Sequence, residues 1–127
     1  MLKTEILNAP LLAGLATLGH TDTVIIADYG LPLPTGTPVV DLAFVRGQLS
    51  FPAVLEVLAR HLVIERSLLA SEARGTTVEG WCHAVGLTPG FISHEQLKAE
   101  IPRAKLVIRT GEATAYANVI LGSGVPF

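Results

Sequence analysis

The chain has 127 residues, 50% of them hydrophobic and 16% charged, with a formal net charge of −2 at pH 7. This length fits one domain, residues 1–127, whose core needs neither a metal nor a disulfide. The single cysteine excludes an intrachain disulfide and is typical of a reducing compartment, so we expect a cytoplasmic protein. The balanced charge indicates no nucleic-acid partner. No apolar run approaches the roughly 20 residues of a spanning helix, so no membrane partner is expected.

The first half of the chain alternates helical and extended patterns. Asn8 is a good cap for a helix with leucines at helical spacing, which we expect to close at Gly19. Thr23–Ala27 is β-branched and apolar without polar alternation, which predicts a strand covered on both faces. A second strand is predicted at Val39–Val45. Ser50, followed closely by a proline, begins a second helix.

The second half is less regular. Ile64–Ala70 predicts a third strand, and the glycine-rich segment 71–90 predicts a loop with one helical turn around residues 78–85. Ser93, with glutamine three residues later, has the capping-box pattern of a helix that ends before Pro102. The last two predicted strands are Lys105–Arg109 and Ala117–Leu121.

This succession of elements predicts an α/β fold, a layered domain with a mostly parallel central sheet flanked by helices. The charged fraction of 16% lies below the roughly 25% of ordinary globular domains. A small domain keeps much of its surface exposed, and a chain this apolar would leave apolar side chains on that surface. We therefore expect a homo-oligomer with large interfaces.

Two polar residues bracket the first predicted strand. His20 follows a glycine before it, and an imidazole can exchange protons near neutral pH. The structural alternative is a histidine that bonds the last carbonyls of the first helix. Asp28 ends the strand, and its alternative role is to bond the amides of the following turn. Together they have the layout of a proton-transfer site.

Further candidates lie near the C-terminus. Tyr116 and Asn118 alternate with Ala117, so we expect them to share one face of the last strand and offer a hydroxyl and an amide to a hydroxyl-rich ligand, or simply to face solvent. His94 is placed on the first turn of its helix. The other histidines, at positions 61 and 83, are left out of the site. No His-Glu-x-x-His or Cys-x-x-Cys motif occurs, so no metal site is expected.

The chain resembles the D-ribose pyranases in five motifs spread over residues 7–51 and 93–127. These motifs are Leu-Gly-His-Thr-Asp-Thr at 18–23, Asp-x-Gly-Leu-Pro-x-Pro at 28–34, His-Glu-Gln at 94–96, Ile-Arg-x-Gly-Glu at 108–112 and Tyr-Ala-Asn at 116–118. The related L-fucose mutarotases differ after the first strand and carry glycine in place of Ala117. Two features depart from the pyranase pattern: Ala115 replaces a common proline, and the segment 71–90 is short.

The resemblance implies a cofactor-free enzyme that interconverts the pyranose and furanose rings of D-ribose. It implies that His20 is the acid-base residue and that a monosaccharide is bound by Asp28, His94 and the run Tyr116-Ala117-Asn118. It also suggests rings of five subunits stacked into a decamer. The alternatives are an anomer mutarotase for L-fucose or another sugar, a non-catalytic sugar-binding module, and a scaffold without a ligand.

Strand geometry adds a further expectation. A strand of five residues, at roughly 3.3 Å each, separates its two ends by about 15 Å. One small sugar can hardly contact both His20 and Asp28 of one chain. We therefore expect a pocket shared between subunits, with His20 of one chain facing Asp28 of its neighbour.

Overall fold

Four helices and six strands make up the computed structural model, which describes residues 1–127. The strands are β1 (Thr23–Ala27), β2 (Val39–Asp41), β3 (Ile64–Ala70), β4 (Gly90–Ile92), β5 (Leu106–Arg109) and β6 (Val119–Ser123). The helices are α1 (Ala9–Ala16), α2 (Phe51–His61), α3 (Thr77–Ala84) and α4 (His94–Glu100), with short 3₁₀ turns at Ser71–Ala73 and Ile101–Arg103. No helix is both long enough and apolar enough to cross a membrane.

All six strands form one sheet in the order β2-β5-β1-β6-β3-β4. The pairs β2/β5, β5/β1 and β3/β4 are parallel, whereas β6 runs antiparallel to both of its neighbours, β1 and β3. Five strands therefore point the same way and only the last is reversed. The expected α/β fold with a mostly parallel sheet is confirmed.

The sheet separates two apolar cores, because successive side chains of a strand point to opposite faces. On β1, Val24 and Ile26 join a cluster of 19 buried residues that includes side chains of α1, α2 and α3. Ile25 and Ala27 join a cluster of nine that includes Leu97 of α4. Both faces of the central strands are thus covered, which explains their continuous apolar sequence.

Local signals placed several elements correctly. Asn8, Ser50 and Ser93 each cap a helix, accepting from the amides of Leu11, Ala53 and Gln96. The capping box at Ser93 is complete, and α4 ends before the proline that follows it. The strands β1 and β3 have the predicted bounds.

The prediction for residues 71–90 was right in placing helical structure around residues 78–85 but wrong in its extent and in treating the rest as loop. The segment contains the eight-residue helix α3, whose Val78 and Cys82 are fully buried, and ends at the strand β4. Gly75 and Gly86, at φ values of 72° and 84°, flank α3 instead of interrupting it. Their ability to adopt positive φ makes them boundaries of an ordered helix.

Several predicted bounds were also wrong, among them the start of β5, which is one residue late, and the end of β6, which is two residues late. The helix α1 ends at Ala16, where the Thr17 hydroxyl donates to the Gly14 carbonyl. The strand β2 stops at Asp41, whose carboxylate accepts from the amide two residues later and turns the chain out of the sheet. The last strand begins at Val119, two residues late, because Tyr116 has a φ of 61° that no strand accommodates.

Candidate active site

Asp28 is held at the carboxyl end of β1 by a fully buried asparagine. The pairing of Ile26 with Val119 in the antiparallel β1/β6 ladder brings Asp28 beside Asn118, which precedes β6. The Asn118 side-chain carbonyl accepts from the Asp28 amide at 2.9 Å, and its NH₂ donates to the Asp28 carboxylate at 3.0 Å. The other Asp28 oxygen accepts from the Gly30 amide at 2.9 Å. The carboxylate is therefore fixed in position by two residues, Asn118 and Gly30.

This geometry revises the interpretation of Asn118. The residue is in the turn before β6 and has no exposed surface, so it does not share a strand face with Tyr116, nor does it face solvent. Its side chain makes both of its hydrogen bonds to Asp28. Ala117, which lies between Tyr116 and Asn118, is also fully buried. The turn bond predicted for Asp28 is present at Gly30, together with the bonds to Asn118.

His94 and Tyr116 meet edge to face beside Asp28. Their ring centroids are 5.2 Å apart with planes at 81°, a favourable arrangement of aromatic rings. His94 begins α4, and its backbone amide donates to both carboxylate oxygens of Glu72 at 3.3 Å. The Nδ1 atom of His94 is buried and has no hydrogen-bond partner. Because buried polar atoms are nearly always satisfied, this nitrogen is suited to meeting a ligand hydroxyl.

These three residues line one open pocket of about 310 Å³. Its walls come from the turn 28–32, from His94 at the start of α4 and from the loop 112–116. This volume lies at the lower end of the roughly 300–1,000 Å³ typical of small-molecule sites. A carboxylate, an imidazole and a phenol on rigid supports could bind a small polyhydroxylated molecule by several directed hydrogen bonds.

Glu112 supports the pocket, although it was not among the predicted site residues. Its carboxylate is nearly completely buried and accepts from the amides of Phe51, Ala113 and Thr114 and from the Thr114 hydroxyl, at 3.0 to 3.2 Å. Its backbone carbonyl accepts from the Tyr29 amide at 3.1 Å. Glu112 thus joins both loops of the pocket to the first turn of α2. Its place in the Ile-Arg-x-Gly-Glu motif at 108–112 was the signal that could have selected it.

Gly111, next to Glu112, is required by a close approach of two backbones. A Cβ atom at this position would lie 1.9 Å from the carbonyl oxygen of Gln48. The two segments exchange backbone hydrogen bonds, from Gly47 to the Gly111 carbonyl and from Gly111 to the Leu49 carbonyl, both at 2.7 Å. Any side chain here would push the turn 45–49 away from the loop that carries Glu112.

His20 is at the opposite end of β1 and does not line this pocket. Its Nε2 atom is 3.1 Å from a carboxylate oxygen of Glu65, and the two side chains are 53% and 45% exposed. The last carbonyls of α1 accept from Thr17 and Leu18, so His20 does not have the alternative role of bonding them. The structure brings together Asp28, His94 and Tyr116, with Asn118 beneath them, and leaves His20 apart.

The cysteine and the other two histidines, Cys82, His61 and His83, lie outside this pocket. Burial, and to a lesser extent Glu79, raises the pKa of the Cys82 thiol to about 12, so this cysteine is not an activated nucleophile. His83 is 3.6 Å from Glu79, and His61 bonds Glu5 at 2.7 Å. No three His, Cys, Asp or Glu side chains are grouped so that they could hold a metal ion.

Comparison with known proteins gives concordant matches over the whole chain. The model of the RbsD / FucU transport protein family matches residues 1–126. A D-ribose pyranase of Bacillus cereus strain B4264 is 48% identical over 131 aligned residues, and one of Cutibacterium acnes is 42% identical over 127, each covering 100% of both chains.

Solved structures give the same result. The structure of Bacillus subtilis RbsD complexed with D-ribose is 40% identical and covers 100% of both chains with a TM-score of 0.94. A fucose mutarotase from Streptococcus pneumoniae in complex with L-fucose is 20% identical, covers 94% of both chains and has a TM-score of 0.78, a likeness that concerns the fold. The chain belongs to the RbsD / FucU transport protein family.

Proposed function

We propose that this protein is a D-ribose pyranase, which interconverts the pyranose and furanose forms of D-ribose without a cofactor. The observation that carries the proposal is the pocket formed by Asp28, His94 and Tyr116, in a chain that matches RbsD, solved with D-ribose, from end to end. Relatives named D-ribose pyranase at up to 48% identity support the same activity.

The chemistry needs only proton transfers. Opening the cyclic hemiacetal breaks the bond between the anomeric carbon and the ring oxygen, which must receive a proton, while the anomeric hydroxyl loses one and becomes the aldehyde. Closure on a different hydroxyl reverses these transfers. In our proposal His20 donates to the ring oxygen, and Asp28 and His94 orient the sugar hydroxyls. Tyr116, Ala117 and Asn118 complete the binding site, Asn118 by holding the Asp28 carboxylate.

The position of His20 supports a site shared between subunits. His20 precedes β1, whereas the pocket residues follow it, so we propose that His20 of a neighbouring chain completes each pocket. Several large apolar side chains are exposed and are available for an interface, namely Leu7, Phe44, Val45 and Leu49. We propose that these contacts build the pentamer or decamer suggested by the family resemblance.

Sharing can be tested by mixing two inactive variants, His20→Ala and Asp28→Ala, under conditions of subunit exchange. If each site takes His20 from one chain and Asp28 from another, about a quarter of the sites in random mixed oligomers regain both residues. Recovery of activity to about that fraction of wild type is expected. Persistent inactivity of a mixture that has verifiably exchanged subunits would place both residues in one chain and contradict the shared site.

The activity itself is tested by magnetisation exchange among the anomeric proton signals of D-ribose. We expect the wild-type protein to accelerate pyranose–furanose exchange. Acceleration of L-fucose anomer exchange without any effect on ribose would instead favour a mutarotase. Binding of ribose without any acceleration would favour a sugar-binding module.

We further propose a role in ribose catabolism in the cytoplasm. A single, buried and unpaired cysteine is typical of proteins in this reducing compartment and supports the proposal.

A further inference from the structure

A second acidic residue contacts the histidine to which the proposed function assigns the proton transfer. The Nε2 atom of His20 is 3.1 Å from Glu65, a residue 45 positions away in sequence. The two meet because β1 and β3 are both paired with β6, so the turn before β1 and the start of β3 lie at the same edge of the sheet. The contact is therefore a product of the tertiary fold.

Both partners are supported by backbone hydrogen bonds at this edge. The amide of Thr21 donates to the Ser123 carbonyl at 2.9 Å, and the Gly124 amide donates to the Val63 carbonyl at 2.8 Å. A Cβ atom on Gly124 would lie 3.3 Å from the Glu65 carboxylate and 3.0 Å from Val63. The absence of a side chain at Gly124 leaves room for the carboxylate.

The carboxylate at Nε2 determines which imidazole nitrogen is free to exchange a proton with a ligand. Ionised carboxylates only accept hydrogen bonds, so the proton of the neutral ring is held on Nε2 and the lone pair is on Nδ1. When the ring is doubly protonated, the Nε2 proton stays with Glu65 and the Nδ1 proton is the one available to a ligand. This division of roles is the one in which an acidic partner orients a catalytic histidine.

We propose that Glu65 is a positioning residue for the reaction, which holds the Nε2 proton of His20 so that Nδ1 exchanges the proton with the sugar. The proposal rests on the proposed function. During opening, Nδ1 gives its proton to the ring oxygen as the bond to the anomeric carbon breaks. The anomeric hydroxyl gives its proton to water as the aldehyde forms, and solvent restores the proton on Nδ1.

The chain contains a matched control in His83 and Glu79. This pair is also a half-exposed histidine whose Nε2 atom faces a glutamate, but it is on one turn of α3, outside the pocket, and the two atoms are 3.6 Å apart. Glu79→Ala therefore removes a carboxylate from a histidine that has no part in the proposed reaction. The Glu79 side chain is 19% exposed and also accepts from the Gly75 amide at 2.8 Å, so the fold of this variant is checked by its melting curve.

The test combines the ¹⁵N signals of the imidazole rings with the rate of ribose ring exchange. Loss of one signal set in His20→Ala assigns His20 among the four histidines. In the wild type we expect the Nε2–H tautomer. In Glu65→Ala we expect a mixture of tautomers and a fall of about tenfold in kcat with KM nearly unchanged, since general acid catalysis as a whole contributes about 10²–10⁴-fold. Glu65→Gln, which keeps an oxygen acceptor, should recover part of both, and Glu79→Ala should change neither.

An unchanged tautomer, or an unchanged kcat despite a changed tautomer, in a folded Glu65→Ala protein would overturn the proposal. Neither result would affect the proposed function, provided the wild type accelerates ribose exchange. If instead the wild type fails to accelerate ribose exchange, the proposed function fails and the role of Glu65 falls with it. If the alanine variant folds poorly, comparison of Glu65→Gln with the wild type keeps the test valid, with a smaller expected change in both readouts.

Discussion

The two ends of β1 differ in how they are built. At the carboxyl end, Asp28 is fixed by Asn118 and Gly30, and the nearby Glu112 carboxylate is buried with four donors. At the amino end, the His20 side chain makes one hydrogen bond, to a half-exposed Glu65. In our proposal, the sugar-binding groups thus lie where hydrogen bonds fix the side chains, and the proton-transfer group lies where the surface is open to a neighbouring molecule.

The largest expected effect is on the rate of ribose ring exchange and concerns His20, at the amino end of β1. His20→Ala should reduce ribose ring exchange by about 10²–10⁴-fold, the usual contribution of a positioned general acid. Because the side chain is 53% exposed and makes a single hydrogen bond, the free energy of unfolding should change by less than about 0.5 kcal/mol. Magnetisation exchange and urea unfolding measure the two quantities. His83→Ala is the matched control and should leave both unchanged. A stability loss that accounts for the inactivity of His20→Ala would remove the contrast between the ends.

At the carboxyl end of β1, the expected effect is instead on the free energy of unfolding. Glu112→Ala leaves three backbone amides and a hydroxyl without their acceptor inside the fold, which should lower the free energy of unfolding by about 3 kcal/mol. Urea unfolding measures it. Glu112→Gln, which retains one carbonyl acceptor, should lose less. Glu65→Ala, the exposed carboxylate at the other end, should cost less than about 0.5 kcal/mol. Equal losses at Glu112 and Glu65 would contradict the proposed difference in construction.

The sequence predicted the elements whose stabilising signals are local. The apolar run of β1 and the caps Asn8, Ser50 and Ser93 act within a few residues, and each was placed correctly. The extent of the helix α3 was underestimated because its flanking glycines resemble a loop, while its stability comes from burial of Val78 and Cys82 against the core. Tertiary packing thus overrode weak local periodicity.

The candidate site shows the same division. Asp28, His94 and Tyr116 were selected by residue type and family resemblance, and they do line one pocket. The supporting roles of Glu112 and Glu65 were not predicted, because their bonds to Phe51 and His20 span 61 and 45 positions. Such contacts depend on which strands are neighbours, and the sequence alone did not specify the strand order.

A smaller effect is expected for the phenol in the pocket. Tyr116→Phe keeps the ring against His94 but removes the hydroxyl, so ribose affinity should fall by about 1 kcal/mol, roughly fivefold, the value of one hydrogen bond. The unfolding free energy should stay within about 0.5 kcal/mol of wild type. Calorimetric titration and thermal melting measure these. Unchanged affinity would show that the hydroxyl does not contact the sugar, leaving Tyr116 only its contact with His94.

The smallest effect concerns the exposed carboxylate of Glu5, near the carboxyl end of α2, the helix whose amino end bonds Glu112. A hydrogen bond from Arg60, and then one from His61, lowers the pKa of Glu5 from 4.5 to about 2. Since the folded pKa is below the unfolded one, Glu5 stabilises the fold fully above about pH 4.5 and loses this contribution as the pH falls towards 2. Solvent screening at this half-exposed site keeps the contribution small.

Glu5→Gln should therefore lower the urea midpoint slightly at pH 7 and approach the wild-type midpoint at pH 3, with 1 M salt removing most of the difference at pH 7. Glu56 also bonds Arg60, so Glu56→Gln is the control that separates the two carboxylates. Comparing each variant with wild type at the same pH cancels every other titrating group. If Glu5→Gln were as destabilising as Glu112→Ala, or if salt had no influence, the exposed end of α2 would be as tightly built as its buried end.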